Sequence, residues 1–278
     1  MQLTRKDLNP AYFARRVARK VQQMRKRSLF REHCEKIKRF KGRHAGERCF
    51  IIGNGPSLNR MDLKPLKDET TFGVNAIHLN YEKMGFRPTY YAVVDPNVAH
   101  DRADEINRLT GSTRFFPQTL AHWLKPGPGV LYVNYSERHW AGPDDRIVAR
   151  FSRDASRVVY SGSTVTYLNL QLAYHMGCDP VYLIGMDHSY TVPPHARGRT
   201  IVSRGDDPNH FHPDYFGKGY RWSYPRLWRM EKALRLAREE FEAHGRAIIN
   251  ATVGGKLEVF PREDYETVIR QDGAGNDG

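Results

Sequence analysis

The stretch Phe50-Ile51-Ile52-Gly53-Asn54-Gly55-Pro56-Ser57-Leu58 passes from an apolar run into two glycines one residue apart. A short apolar run bounded by charge suits a buried parallel strand. The glycines let the backbone turn and be approached closely, and Pro56-Ser57 suits a helix start. Strand, turn and helix start together present backbone N–H groups to an anion, so Gly53, Asn54, Gly55, Pro56 and Ser57 are expected to hold a nucleotide phosphate. An ordinary strand-to-turn connection would use the same residue types. Further on, Asn75 closes one apolar run, Asp95 a second and Asp187 a third, while Ser161-Gly162 precedes an apolar helical stretch. Strand-end aspartates serve as metal ligands or as helix caps, and Ser161 and Ser163 as ligand contacts or N-caps. The segment 188–225 carries His188, His195, His210 and His212, whose spacing matches no strong zinc signature.

Several nucleotide schemes are excluded by what surrounds these residues. The chain has no Gly-x-x-x-x-Gly-Lys-Ser/Thr string, which removes a P-loop kinase. The loop lacks the third glycine of the dinucleotide fingerprint, and Asn75 stands where an acidic ribose ligand would close the second strand. An amide there binds ribose or a base edge without placing negative charge beside a phosphate.

The elements that must position these residues alternate between strand and helix patterns. Strands are expected near 48–52, 70–77, 88–95, 113–116, 130–133, 180–187 and 247–251, with a buried helix over about 164–176 and an amphipathic one over about 225–244. Such alternation predicts an α/β domain, a Rossmann-like, mostly parallel sheet with helices on both faces. Ligands in such a sheet sit beyond the carboxyl ends of the strands, which gathers Asn54, Asn75, Asp95, Ser161 and Asp187 at one crevice. Segment 188–225 breaks the rhythm, yet its Phe211, Tyr215, Phe216, Tyr220 and Trp222 argue against disorder, so it is expected to be a lid. The domain is placed at 48–264, with the lid at 188–225, a basic arm at 1–47 and a flexible polar tail at 265–278.

The 278 residues are 40% hydrophobic, enough for one full core. The net charge of +13 is carried almost entirely by residues 1–48. Phe13, Val17, Val21 and Met24 recur there at helical spacing among arginines and lysines, as in a basic amphipathic helix that docks on an anionic membrane surface or packs on the body. No nucleic-acid partner is expected, because no aromatic stacking set accompanies the charge. No apolar run approaches the ~20 residues needed to span a bilayer. The start lacks a secretory signal pattern, and Cys34, Cys49 and Cys178 show no paired spacing, so a cytoplasmic protein, peripheral on the inner membrane face, is expected.

The strings Ile51 to Leu58, Asn75, Tyr160-Ser161-Gly162 and Val181-Tyr182-Leu183-Ile184-Gly185-Met186-Asp187 resemble the MptE-like family, which includes 6-hydroxymethylpterin diphosphokinases. The same motif order is similar to bacterial sialyltransferases that use CMP-sialic acid. The sialyltransferase resemblance implies a nucleotide-activated sugar donor and a glycan acceptor in surface-glycan synthesis, with no metal. It implies donor contacts from Asn54, Gly55, Ser57, Asn75, Ser161 and Gly162. It also implies a lid histidine as general base, His212 with His210 as rival, and lid tyrosines, Tyr190 and Tyr215, on the departing phosphate. Ser189 departs from the pattern, standing where an aromatic residue is expected. The diphosphokinase resemblance implies instead ATP with Mg²⁺ held by Asp95 and Asp187, joined by Asp206-Asp207, with Lys218 and Arg221 neutralising phosphate. A non-catalytic nucleotide- or polyanion-binding module is the third expectation.

Overall fold

A computed structural model describes residues 30–137, 148–193 and 200–270. The chain opens on helix α1 (30–38) and strand β1 (Cys49–Ile52), then runs through β2 (Thr70–Val74), α2 (Tyr81–Met84), β3 (Tyr90–Ala92), α3 (Pro96–Asp101), α4 (Ala103–Arg108), β4 (Thr113–Pro117) and β5 (Val130–Val133). The second half comprises β6 (Tyr135–Ser136), β7 (Val159–Tyr160), α5 (Val165–Met176), β8 (Val181–Ile184), β9 (Thr200–Val202), β10 (Arg221–Ser223), α6 (Leu227–Glu242), β11 (Ile248–Asn250) and α7 (Tyr265–Arg270).

Seven strands form one sheet in the order β11-β8-β1-β2-β3-β4-β5, every pair parallel. This is the doubly covered α/β sheet that the strand and helix alternation predicts. β1 shows why its run is apolar throughout: Cys49 and Ile51 join the core on one face, Phe50 and Ile52 that on the other. After β1 the order steps outward to β2 on one side, while β8 lies on the other, so the direction of winding reverses between β1 and β8. Helix α5, buried along its whole length, packs over one face; Gly177 ends it in the left-handed conformation.

The arm is only partly described. Phe13, Val17, Val21 and Met24 lie outside the described residues. Its later part is docked: Ile37 is fully buried, Phe40 packs on the core, and His44 N–H donates to the Met176 carbonyl at 2.8 Å. The tail expected to be flexible from 265 instead begins with α7, where Tyr265 and Val268 are buried and the Tyr265 hydroxyl donates to the Asp62 carbonyl at 2.6 Å. Two apolar side chains at helical spacing outweigh a polar composition. Among the described residues, no helix is long and apolar enough to cross a membrane.

Candidate functional site

A cleft of about 960 Å³ opens at the carboxyl ends of β1, β2 and β8, where the winding reverses. This is the place such sheets offer a ligand. Gly53, Asn54, Gly55, Asn75, Asp95, Ser161, Asp187, Tyr190, His210 and Tyr215 all line it. Pro56, Ser57, Gly162 and His212 do not.

The glycine loop faces the cleft, but the amides of Gly53, Gly55 and Ser57 are taken up within the protein. Gly53 N–H donates to the Ile184 carbonyl at 2.8 Å, Gly55 N–H to Gly185 at 2.9 Å and Leu58 N–H to Gly55 at 3.1 Å. Ser57 donates twice to Asp187, from its N–H at 3.1 Å and its hydroxyl at 2.5 Å. The anion at the start of the short 3₁₀ turn Pro56–Arg60 is thus the protein's own carboxylate. The glycines answer to the same crossing. A Cβ on Gly53 would lie 2.3 Å from the Gly185 carbonyl oxygen, and one on Gly55 would lie 1.8 Å from Asp187 Oδ2. The expectation that Gly53, Gly55 and Ser57 grip a phosphate through free amides is corrected accordingly: the Gly185 backbone at Gly53 and the Asp187 carboxylate at Gly55 come too close for a Cβ.

Asn54 and Asn75 do come together beneath the segment that follows β8. Asn54 Nδ2 donates to the Val74 carbonyl at 3.2 Å and to the Tyr215 hydroxyl at 2.9 Å, which fixes its Oδ1 as an acceptor. Asn75 adopts a left-handed backbone (φ 47°), a conformation asparagine tolerates better than most residues, and its amide also bonds the Tyr215 hydroxyl. Asn54 Oδ1 and Asn75 Oδ1 are both buried with no hydrogen-bond partner among the described residues. An unpaired buried acceptor costs about 1–3 kcal/mol, a cost that an N–H or O–H of a ligand relieves. Tyr215 is 1% exposed, and burial holds its phenol well above the usual range against the opposing pull of Asn75 and Ala76. Its hydroxyl is engaged by the two asparagines, so it clamps the segment to the strand ends and is not presented to a phosphate. Tyr190 is half-buried at the cleft wall, its pKa likewise raised by burial.

The segment over 207–216 is built around Asp207, whose carboxylate accepts from Asn209 N–H at 2.8 Å, Phe216 N–H at 3.1 Å and His210 Nδ1 at 2.7 Å. His210 lies flat on the Tyr215 ring, with centroids 3.9 Å apart and planes 4° apart. With Nδ1 bonded to Asp207, Nε2 is the nitrogen left for a substrate. His212 is turned elsewhere: its Nδ1 accepts the Asp214 N–H at 3.1 Å. Of the two histidines singled out by sequence, the structure brings His210 to the cleft.

Asp95 caps α3 through the Asn97 N–H at 2.8 Å and bonds the Ser223 side chain; burial raises its pKa. Asp187 is held by Ser57. Asp206 and Lys218 are exposed and outside the cleft lining, and Arg221 pairs with Asp101. Among the described residues, no three His, Cys, Asp or Glu side chains form a metal-sized group. A phosphate-bridging Mg²⁺ takes one or two carboxylates beside its phosphates; Asp95 and Asp187 would be the ones to hold it, and each also accepts hydrogen bonds within the protein. At the start of α5 the N-cap is Thr164, whose side chain accepts from Thr166 N–H at 3.3 Å, and not Ser161 or Ser163. Ser163, Thr164 and Thr166 line the cleft, whereas Gly162 packs beneath the Tyr167 ring, 2.3 Å from where its Cβ would lie.

Sequence reasoning missed Tyr135, whose hydroxyl pairs with Ser161 and whose pKa burial raises, and the pair His188–Glu231, with Nε2 and Oε1 3.1 Å apart. His188 adjoins the strand-end Asp187, a signal available in the sequence; Glu231 has none, since only the packing of α6 brings it there.

Among solved structures, the MAf glycosyltransferase from Magnetospirillum magneticum AMB-1 is similar, with a TM-score of 0.49 and 15% identity, over 86% of this chain and 39% of that one. The chain thus spans about two-fifths of that structure's length. No curated protein matches the sequence. Residues 16–193, more than half of the chain, match the family described as 6-hydroxymethylpterin diphosphokinase MptE-like. The chain belongs to the MptE-like family.

Proposed function

We propose that the protein is a nucleotide-dependent transferase that moves a sugar from a nucleoside phosphate to an acceptor hydroxyl, with His210 as general base. The observation that carries this is the Asp207–His210 pair, rigid on Tyr215 and lining the same cleft as the unpaired acceptors of Asn54 and Asn75. The asparagine oxygens suit ribose hydroxyls or a base amino group. The first turn of α5, with Ser163, Thr164 and Thr166, suits the phosphate, because a helix start favours negative charge. In the reaction, the acceptor oxygen bonds to the anomeric carbon as its proton passes to His210 Nε2. The bond from that carbon to the phosphate oxygen breaks, and the electron pair leaves with the phosphate. Asp207 keeps the tautomer and supports the imidazolium.

The family's description favours a second reading, pyrophosphoryl transfer from ATP to the hydroxyl of a hydroxymethylpterin. His210 would serve that hydroxyl equally. The two part at the metal, since Asp95 and Asp187 are each engaged within the protein. A thermal-shift panel of CMP, CDP, UDP, GDP and ATP, with and without Mg²⁺, separates them, followed by turnover with the matching donor. His210→Gln is expected to lower kcat by about 10²–10⁴ with donor affinity nearly intact, and His212→Ala to leave kcat within a few-fold. Full activity in His210→Gln would remove the base. Membrane docking through the basic arm is proposed alongside; flotation of the full chain with anionic but not neutral vesicles tests it.

A further inference from the structure

We propose that His188, braced by Glu231, binds the phosphate of the nucleotide and stabilises the charge that gathers on it when the bond to the transferred group breaks. This rests on the nucleotide reading above and adds a residue that neither the motif order nor the family description assigns. Two histidine–carboxylate pairs meet one cleft through their histidines: His210 with Asp207 in the segment 207–216, and His188, four residues past β8, with Glu231 on α6. His210 belongs to the tyrosine-clamped side. His188 belongs to the sheet side, two residues after Met186, whose sulfur accepts the Thr166 hydroxyl at 3.4 Å in the first turn of α5. His188 lines the same cleft as Ser163, Thr164 and Thr166 at the start of that helix, where phosphate charge is favoured.

Its backbone points the same way. His188 has φ 51°, a left-handed conformation disfavoured for a residue with a Cβ; such outliers gather where function requires a fixed side chain. With Nε2 on Glu231 Oε1 at 3.1 Å, Nδ1 is the nitrogen left for the ligand. Glu231 also meets Arg235 at 3.4 Å; Asp187 lies next in the chain, and Arg226 and Arg229 line the cleft from the α6 side. The carboxylate of Asp187 lies against Ser57 in the glycine loop, and the adjoining His188 lines the cleft. No net proton transfer to the phosphate is required. The breaking bond leaves its electron pair on the phosphate oxygen, the acceptor proton goes to His210, and His188 Nδ1–H donates a charge-assisted hydrogen bond to that oxygen.

A plain ion pair tying α6 to the β8 loop would share this geometry, so the test must separate anion binding from folding. His188→Asn suits the left-handed backbone, and Glu231→Gln lies on a half-exposed helix position that tolerates change. Binding is read by calorimetry for inorganic pyrophosphate and for CMP, UDP and GDP, each against its parent nucleoside, with the unfolding temperature recorded for every variant. The expected result is a tenfold or greater loss of pyrophosphate and nucleotide affinity in His188→Asn, a smaller loss in Glu231→Gln, and nucleoside affinity within twofold of wild type. Equal losses for nucleoside and nucleotide, or pyrophosphate binding indifferent to both variants, overturn the inference while leaving the nucleotide reading standing. Wild-type protein that binds none of the nucleotides sinks both.

Discussion

Replacing Asp187 by alanine separates a carboxylate that builds the loop from one that serves a ligand. Both of its oxygens accept from Ser57, Oδ1 from the N–H at 3.1 Å and Oδ2 from the hydroxyl at 2.5 Å. Hydrogen bonds to a charged group contribute about 1.5–3 kcal/mol each. These two share one carboxylate and one partner residue, so they do not add in full, and roughly 2–4 kcal/mol is expected to be lost. For a domain of this size each kcal/mol moves the unfolding temperature by about 2–4 °C, which places the fall at roughly 5–15 °C. Differential scanning calorimetry in a chloride buffer measures it. The variant leaves Ser57 N–H facing a gap of carboxylate size, so added formate should restore part of the loss. At ten times its dissociation constant, the gain is about 1.4 kcal/mol. Formate should leave wild type unmoved. An Asp187→Ala protein that melts as wild type does but no longer turns over would refute the reasoning, because the carboxylate would then face a ligand.

Other positions follow from the same contacts. Gly55→Ala is expected to cost at least as much as Asp187→Ala, because its Cβ would enter the space of Asp187 Oδ2; in the double variant Gly55→Ala with Asp187→Ala the second loss should be much smaller, read by the same calorimetry. Burial raises the pKa of Asp95, so its contribution to stability is present in acid and falls as pH rises through that raised value. Asparagine caps helices equally well; Asp95→Asn should therefore match or exceed wild-type stability at pH 8 and lose that advantage by pH 3. His175 is 3% exposed, and burial lowers its pKa while its Nε2 meets the Ile37 carbonyl at 3.1 Å. Its contribution is present above pH ~6.5 and lost as pH falls through the lowered value. Amide exchange over residues 30–47 should accelerate at pH 5, corrected for intrinsic rate, and His175→Gln should flatten that dependence.

The fold was legible because its signals are local. The apolar runs 49–52 and 181–184 are buried on both faces, and the α5 stretch ends at a glycine, so composition alone marks them. Asp95 and Asp187 were legible as strand-end residues, but whether each would meet a metal or a backbone amide was not: the deciding partners, Asn97 and Ser57, are two residues away in one case and 130 in the other. The choice between His210 and His212 was likewise closed to sequence. Two histidines two residues apart point in different directions once Asp207 ties one of them down. The short pairings β6–β7 and β9–β10 carry too few residues for a period to show.

The glycine string shows how one sequence pattern serves two structural ends. Glycines after a parallel strand permit close approach, and an anion is one thing that approaches; a neighbouring strand's turn is another. Here β1 and β8 are adjacent and wind apart, so their two turns, Gly53 to Gly55 and Gly185 to Asp187, must pass within hydrogen-bonding distance of each other. A side chain on either glycine of the first turn would block that passage. With Asp187 lodged against Ser57, negative charge already fills the loop, and a second anion placed there would be repelled. In the reading proposed above the phosphate lies instead at the start of α5, where Ser163, Thr164 and Thr166 line the same cleft as His188 and His210. The switch in strand order thus fixes where the cleft opens, while one carboxylate decides which of its two walls is fit to hold charge.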